Sequence, residues 1–547
     1  MPSNEEERSR KRPRSTPDTR PAYPRKRAAQ ACLACRRRRT KCDNERPTCS
    51  SCLNLGIECV YQEGDKSSFD SASLAILQRL DATIESLPPL DISVEAVLGW
   101  PMFRHLASAH QTPLKTLLQA GSSDSDPRSL ITSDIEADDA GSLLQQFLDN
   151  FHIYNPVLEI SRVKESVRFT RYNGLGWDSN SCLLLLIYAL GTIADRYSQP
   201  PFETSAAFRQ SDQFLRGEAF FMAAQRRMGT LLCKSGIVEA QIFFLAGVYL
   251  MTTLRPVEAW KMFVQALACC QGFVPTAHRD AEGQHGDDPR QAESQLHKSI
   301  YWTCFKSELE LRLELNIAET SVWNLRYPAF FPEPPASLQS QSEAAWYFYL
   351  AEIALRRLEN RVLTYTCQEQ PSGPLPERIN TILDFEQQAD GWLESLPDTL
   401  KLKGSTETPG SADEKHAALR FILNGHLLDC YEMMYWPFMV EAIHRSKYDD
   451  DSRLLAIKGF QVCVRRIEEN EGGFRLRHHG TWLMLRSCTR SALVLVAASQ
   501  SRLHSMLPLG WEASVGKVMQ MLDYWKEETW DAADRLEILE TMMRVPP

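Results

Sequence analysis

From about residue 142 to the C-terminus, apolar residues return at every third or fourth position. "LLQQFLDNFHIYNPVLEI" (143–160), "CLLLLIYALGTIA" (182–194), "EAFFMAAQRRMGTLL" (218–232), "IVEAQIFFLAGVYLMTT" (237–253), "VEAWKMFVQALACC" (257–270) and "SIYWTCFKSELELRLELNI" (299–317) share i, i+3, i+4 spacing, which marks one face of an α-helix. Strand-like alternation is scarce. "HRDAEGQHGDDPRQAES" (278–294) reads as a surface loop, and "YPAFFPEPPAS" (327–337) marks an extended break. Helical spacing resumes in "EAAWYFYLAEIALRRLENRVLTY" (343–365) and "RFILNGHLLDCYEMMYWPFMVEAI" (420–443). The pattern predicts an all-α body over 142–547. No clean repeat of about 30–45 residues is present, so a regular solenoid is not supported.

Ahead of the body the pattern weakens. Residues 63–73, "EGDKSSFDSAS", form a polar linker. In the next stretch, 74–87, Leu77, Leu80, Ile84 and Leu87 keep the spacing of a coiled-coil seam, and Pro88-Pro89 end it. Two heptads give a short dimerisation helix; the competing reading is an amphipathic helix that packs on its own chain. Residues 88–141 read as a linker. Its first part, "ISVEAVLGWPMFRHLASA" (92–109), has room for one or two helices. Its second, "GSSDSDPRSLITSDIEADDAG" (121–141), is acidic and of low complexity. That part lacks the aromatics an activation segment would carry.

Charge changes the picture at the N-terminus. The chain of 547 residues has a formal net charge of −9. Residues 1–62 hold 15 Lys/Arg against seven Asp/Glu, which is +8, and leave −17 for the rest. A small basic head on a large acidic body points to an anionic partner for the head. Residues 1–28 read as a disordered basic tail whose clusters, Arg8–Arg14 and Arg25–Arg27, suit nuclear import or nucleic-acid contact. No apolar stretch there resembles a signal peptide, and no run reaches the roughly 18 residues of a membrane span. A reducing compartment follows, where dense cysteines favour metal over disulfides.

Six of the 15 cysteines fall in "ACLACRRRRTKCDNERPTCSSCLNLGIEC" (31–59): Cys32, Cys35, Cys42, Cys49, Cys52 and Cys59. Their spacing is C-x2-C-x6-C, six residues, then C-x2-C-x6-C again, an internal pseudo-twofold. Structural zinc takes four ligands, and thiolates suit it. Two ions need eight ligand positions, which six cysteines supply only if two thiolates bridge. Symmetry assigns the bridges to the first cysteine of each half, Cys32 and Cys49. Cys35 and Cys42 then complete one site, Cys52 and Cys59 the other. With so little apolar material in 29–62, metal has to supply most of the stability.

This segment resembles the Zn2Cys6 binuclear zinc cluster of fungal transcription factors: six cysteines at these spacings, a basic run in the first half, and Pro47 in the connecting loop. The resemblance implies double-stranded DNA as partner, with the first half's helix pointing its end into the major groove. Arg36, Arg37, Arg38, Arg39 and Lys41 would lie on that helix. Arg38 and Arg39 occupy the family's base-reading positions, where the guanidinium fork matches guanine. Arg36 and Lys41 occupy phosphate-facing ones. The implied target is a CGG-like triplet, and one triplet carries too little information, so dimerisation is expected.

The body is similar to the fungal-specific transcription factor domain, or middle homology region. "FHIYNPVLEI" (151–160) resembles its opening, "VYLMTTLRPVEAWKMFVQALACCQ" (248–271) its central helix pair, and "HKSIYWTCFKSELELRLEL" (297–315) its next helix. The Gly-Arg-Pro stretch that members often carry after that helix is missing.

Enzyme signatures are missing too: H-E-x-x-H, G-x-S-x-G, a P-loop and G-x-G-x-x-G do not occur. His105, His110, His478 and His479 lack partners at ligand spacing. Cys269-Cys270 reads as core. A small apolar effector in the helical interior ranks below a simply packed core. The expectation is a nuclear, sequence-specific, DNA-binding regulator of RNA polymerase II transcription, homodimeric, holding two zinc ions and recruiting coregulators through its body. The resemblance implies a pathway-specific activator of biosynthetic or catabolic genes. The alternative is a zinc-cluster interaction protein that does not bind DNA, a corepressor or antagonist. The intact Arg36–Lys41 run argues against it, and an enzyme fused to a DNA-binding head ranks third.

Overall fold

A computed structural model describes residues 31–60 except 44 and 46, then 91–107, 139–194, 202–271, 289–315, 317, 332, 343–368, 375–402, 414–445 and 449–544. Among these residues every regular element is helical, the all-α class that the apolar spacing implies. The chain divides into two compact units, Met1–Glu85 and Ser86–Pro547. The predicted seam, Leu77, Leu80, Ile84 and Leu87, lies outside the described residues, as does the 1–28 tail.

Among the described residues, the first unit contains two short helices, α1 (Leu33–Arg38) and α2 (Ser50–Leu53). Those of the second begin with α3 (Val94–Leu98), α4 (Arg104–Ala107), α5 (Ala140–Phe147), α6 (Ile160–Asn173) and α7 (Ser179–Thr192). They continue through α8 (Ser205–Arg209), α9 (Asp212–Met228), α10 (Ile237–Thr252), α11 (Pro256–Cys270) and α12 (Pro289–Glu314). The remainder are α13 (Glu343–Leu363), α14 (Leu375–Ser395), α15 (Glu414–His444), α16 (Asp450–Asn470), α17 (Thr481–Gln500), α18 (Trp511–Trp525) and α19 (Trp530–Arg544).

Side-chain caps set several starts. Asp178 accepts the Ser181 N–H at 3.0 Å ahead of α7, and Ser211 accepts the Phe214 N–H at 3.1 Å ahead of α9; each satisfies a donor that a helix leaves open at its first turn. α10 is buried without interruption from Ala240 to Thr252, so it runs through the core. Its partner α11 comes so close at Gly247 that a β-carbon there would lie 2.3 Å from the Phe263 ring.

Three stretches differ from the sequence reading. Residues 143–160 do not form one helix: α5 passes into a π-turn (Leu148–His152), and the chain then breaks before α6. Pro156 cannot continue a helix. The His152 Nε2 accepts the Leu158 N–H at 3.3 Å, and burial keeps that imidazole neutral, its pKa down at about 4. Second, α12 starts at Pro289, inside the expected loop 278–294, since proline's fixed φ suits a first helical position.

Third, residues 91–107, read as linker, belong to the body. Val94, Val97 and Phe103 are fully buried, and Trp100 sits 6.0 Å from Trp436. On the same segment Glu95 pairs with Arg486 and with Arg535, the latter at 3.1 Å. Burial would raise its carboxyl, yet the two guanidinium groups hold it below the usual carboxylate range.

Those pairs open a largely buried chain of charge. Arg486 Nε meets Glu314 at 2.8 Å, and Arg490 joins Glu314 at 2.9 Å to Glu432 at 2.6 Å. Arg466 closes the chain on Glu432 at 3.0 Å and Asp429 at 2.6 Å. Buried charges persist where each has a partner and hydrogen bonds.

Candidate metal centre and nucleic-acid interface

The core of the first unit is made of sulfur. Cys32, Cys49 and Cys52 are 0 % exposed and Cys35 is 2 % exposed; Cys42, Cys59 and Ala34 pack around them. Two sets of four thiols each lie within 4.8 Å of one another: Cys32, Cys35, Cys42, Cys49 and Cys32, Cys49, Cys52, Cys59. The shared members are Cys32 and Cys49. Zinc holds sulfur at about 2.3 Å in a tetrahedron, whose edge is then about 3.8 Å. The Sγ separations are 3.8 Å for Cys32–Cys49, 3.7 Å for Cys35–Cys49 and 3.5 Å for Cys32–Cys52. Thiols at tetrahedral edge lengths, in two sets sharing one edge, fit zinc.

Backbone bonds hold the set. The Cys35 N–H donates to Cys32 Sγ at 3.4 Å and the Cys49 N–H to Cys59 Sγ at 3.3 Å. The Leu33 N–H reaches the Val60 carbonyl at 2.9 Å, tying the module's two ends together. Burial pushes the Cys49 and Cys52 thiols up, while the Cys49 N–H pulls Cys59 down. A bound metal displaces such protons.

The basic run follows from this framework. α1 carries Arg36, Arg37 and Arg38 and stops because Arg39 turns into the left-handed region, φ 53°, with the Thr40 N–H bonded to the Cys35 carbonyl at 3.1 Å. Cys42 can then return to the sulfur core. Arg39 and Lys41 therefore lie past the end of α1 and not on it, contrary to the expectation. Arg37, Arg38, Arg39 and Lys41 are all exposed. The carbonyl end of a helix favours cations, so the run sits where α1 supports it.

Residues 30–68 match the fungal Zn(2)-Cys(6) binuclear cluster domain, and residues 144–311 match the fungal specific transcription factor domain. Together the two domains mark a transcription factor with a fungal Zn(2)-Cys(6) cluster. This transcription factor is 24 % identical to a putative transcription factor, ecdB, of Aspergillus rugulosus over 491 residues, covering 77 % of this chain and 80 % of that one. It is 50 % identical over 48 residues to transcription factor FBD3 of Fusarium pseudograminearum, 9 % of this chain and 6 % of that one. A Zn(2)-C6 fungal-type transcription factor of Fusarium oxysporum, FTF1c, aligns at 22 % identity over 72 % of this chain and 50 % of its own length. The matched part is thus less than two thirds of the last two relatives. These names describe transcription factors and not enzymes, and the cluster domain makes the head of this transcription factor zinc-binding and DNA its partner.

In the body, the residues weighed for metal remain apart from such chemistry. Burial lowers His478 to about 4 and His479 to about 3, and Cys269 and Cys270 are core. The His105 side chain and His110 lie outside the described residues. An open groove of about 870 Å³ lies along α6, α7 and α10, floored by Leu183, Leu184, Ile237 and Val238. No helix among the described residues is long and apolar enough to cross a membrane. The buried charge chain through Arg486 and Arg490 went unread in the sequence. Its one signal was two arginines, four apart, inside the apolar run "TWLMLRSCTRSALVLVAAS".

Proposed function

We propose that this transcription factor binds two zinc ions, bridged by Cys32 and Cys49, and reads CGG-type triplets in the major groove with Arg38 and Arg39. Arg36 and Lys41 take phosphates. Two copies pair through Leu77, Leu80, Ile84 and Leu87, and the helical body recruits coregulators of RNA polymerase II transcription in the nucleus. Pathway-specific activation of a biosynthetic or catabolic gene set is the role assigned. The observation that carries the DNA reading is the exposed run Arg37, Arg38, Arg39 and Lys41 at the carbonyl end of α1, held on a sulfur core. The same exposure weighs against a zinc-cluster corepressor that ignores DNA, since a metal-binding fold alone needs no row of solvent-facing cations beside it.

The test uses the full chain on DNA probes with one triplet or two at varied separation. Paired triplets should bind more tightly over a limited range of spacings, because the second contact becomes intramolecular. Charged residues at Leu80 and Ile84 should remove that dependence and leave single-triplet binding intact. Equal affinity for single and paired probes in the unmutated chain would rule out the seam. Equal affinity for CGG and scrambled triplets would rule out the specificity.

A further inference from the structure

The two halves of the head correspond at a constant offset along the sequence. Cys32 matches Cys49, Cys35 matches Cys52, Cys42 matches Cys59, and Arg39 matches Gly56. Each half ends its short helix with the same turn. The Thr40 N–H bonds the Cys35 carbonyl at 3.1 Å, and the Ile57 N–H bonds the Cys52 carbonyl at 3.2 Å. The closing residue is left-handed in both, with φ 53° at Arg39 and 59° at Gly56.

Glycine is the ordinary occupant of such a position because it has no β-carbon to strain there. At Gly56 a β-carbon would meet nothing within 4 Å, so backbone conformation and not space selects glycine. The first half makes the same turn with an exposed arginine. One module thus holds the unstrained solution and a strained one side by side. Strain of this kind persists where something else fixes it.

We infer that Arg39 occupies its left-handed position because DNA recognition needs a guanidinium beyond the end of α1, at a cost to the stability of the zinc-bound fold. Side chains on a helix lean toward its N-terminus, so Arg37 and Arg38 share that lean. A residue in the closing turn is free of it and can reach past the helix end. Arg39 is then a residue whose backbone positions its contact, an assignment that rests on the proposed triplet reading.

The experiment compares Arg39→Gly, Arg39→Ala and Gly56→Ala in the full chain, with two readouts: zinc retained against a chromophoric chelator, and affinity for CGG against scrambled probes. Arg39→Gly should hold zinc about fivefold more tightly than Arg39→Ala, the factor that ~1 kcal/mol of left-handed strain corresponds to. Gly56→Ala should hold zinc about fivefold less tightly than the unmutated chain, yet keep its triplet preference when zinc-loaded. Both Arg39 variants should lose that preference. Equal zinc retention in Arg39→Gly and Arg39→Ala would overturn the strain. An Arg39→Gly chain that still prefers CGG would overturn the reason for it. An unmutated chain blind to the triplet would sink the DNA reading as well, a result distinct from either.

Discussion

Replacing Cys49 by serine should empty both metal sites, whereas replacing Cys35 should empty one. Cys49 Sγ lies 3.8 Å from Cys32 and 3.7 Å from Cys35, and it belongs to both four-thiol sets. Cys35 belongs to one. Structural zinc contributes about 10–16 kcal/mol through four ligands, so one thiolate is worth roughly 2.5–4 kcal/mol, or about 10²–10³ in affinity for its site. Cys35→Ser weakens one site by that factor. Cys49→Ser weakens both, for a summed loss of roughly twice as much, and Cys32→Ser should match it. Native mass spectrometry of the full chain at a buffered free-zinc level supplies the count. At a level just sufficient to fill the unmutated protein, the expectation is two ions for wild type, one for Cys35→Ser and none for Cys49→Ser. A Cys49→Ser chain that keeps one ion as firmly as Cys35→Ser does would refute the shared edge. A single ion in the unmutated chain would refute the two-site arrangement itself.

Arg38→Ala should cost about 1–3 kcal/mol on CGG probes and flatten the preference over mutated triplets, while Lys41→Ala should weaken all sequences alike and lower the salt slope by about one charge; an Arg38→Ala chain with intact preference would reverse those roles. Glu432→Gln removes the carboxylate that the buried Arg466 and Arg490 share and leaves them Asp429 and Glu314 alone. The cost should be about 3–5 kcal/mol, or a Tm about 3–5 °C lower, given roughly 2.1 cal/mol/K of unfolding entropy per residue over a unit of about 460 residues. A calorimetric shift under about 1 °C would mean the pairs contribute little. Burial alone would lower His426, but its 3.2 Å bond to Glu352 and the Glu310 charge outweigh that and raise it to about 9. A histidine raised above its unfolded value of about 6.5 stabilises fully below that pH and loses the contribution as pH climbs through 9. Stability read from urea midpoints should therefore fall between pH 6.5 and 9 by up to about 3 kcal/mol, and His426→Gln should flatten that slope; parallel profiles for the two chains would count against the pair.

The sulfur framework was legible in the sequence because it is local. Six thiols in one short stretch, repeated at a fixed offset, leave few ways to satisfy tetrahedral ligands, and symmetry alone named Cys32 and Cys49. The helices of the body were legible for a similar reason: helical periodicity is a property of neighbouring residues, so α7, α10 and α11 appear where the apolar spacing put them. Arg39 was not legible. In the sequence it continues a run of four identical residues, and the turn that brings Cys42 back to the sulfur core leaves no mark in that run. The body's buried charges were hidden for a deeper reason. Glu95, Glu314, Glu432, Arg466, Arg486, Arg490 and Arg535 come from six helices, α3, α12, α15, α16, α17 and α19, spread from one end of the body's sequence to the other. Apart from Arg486 and Arg490 in their apolar run, each looks like an ordinary solvated charge on its own helix, and it becomes a buried partner only when tertiary packing excludes water and sets opposite charges within hydrogen-bonding reach.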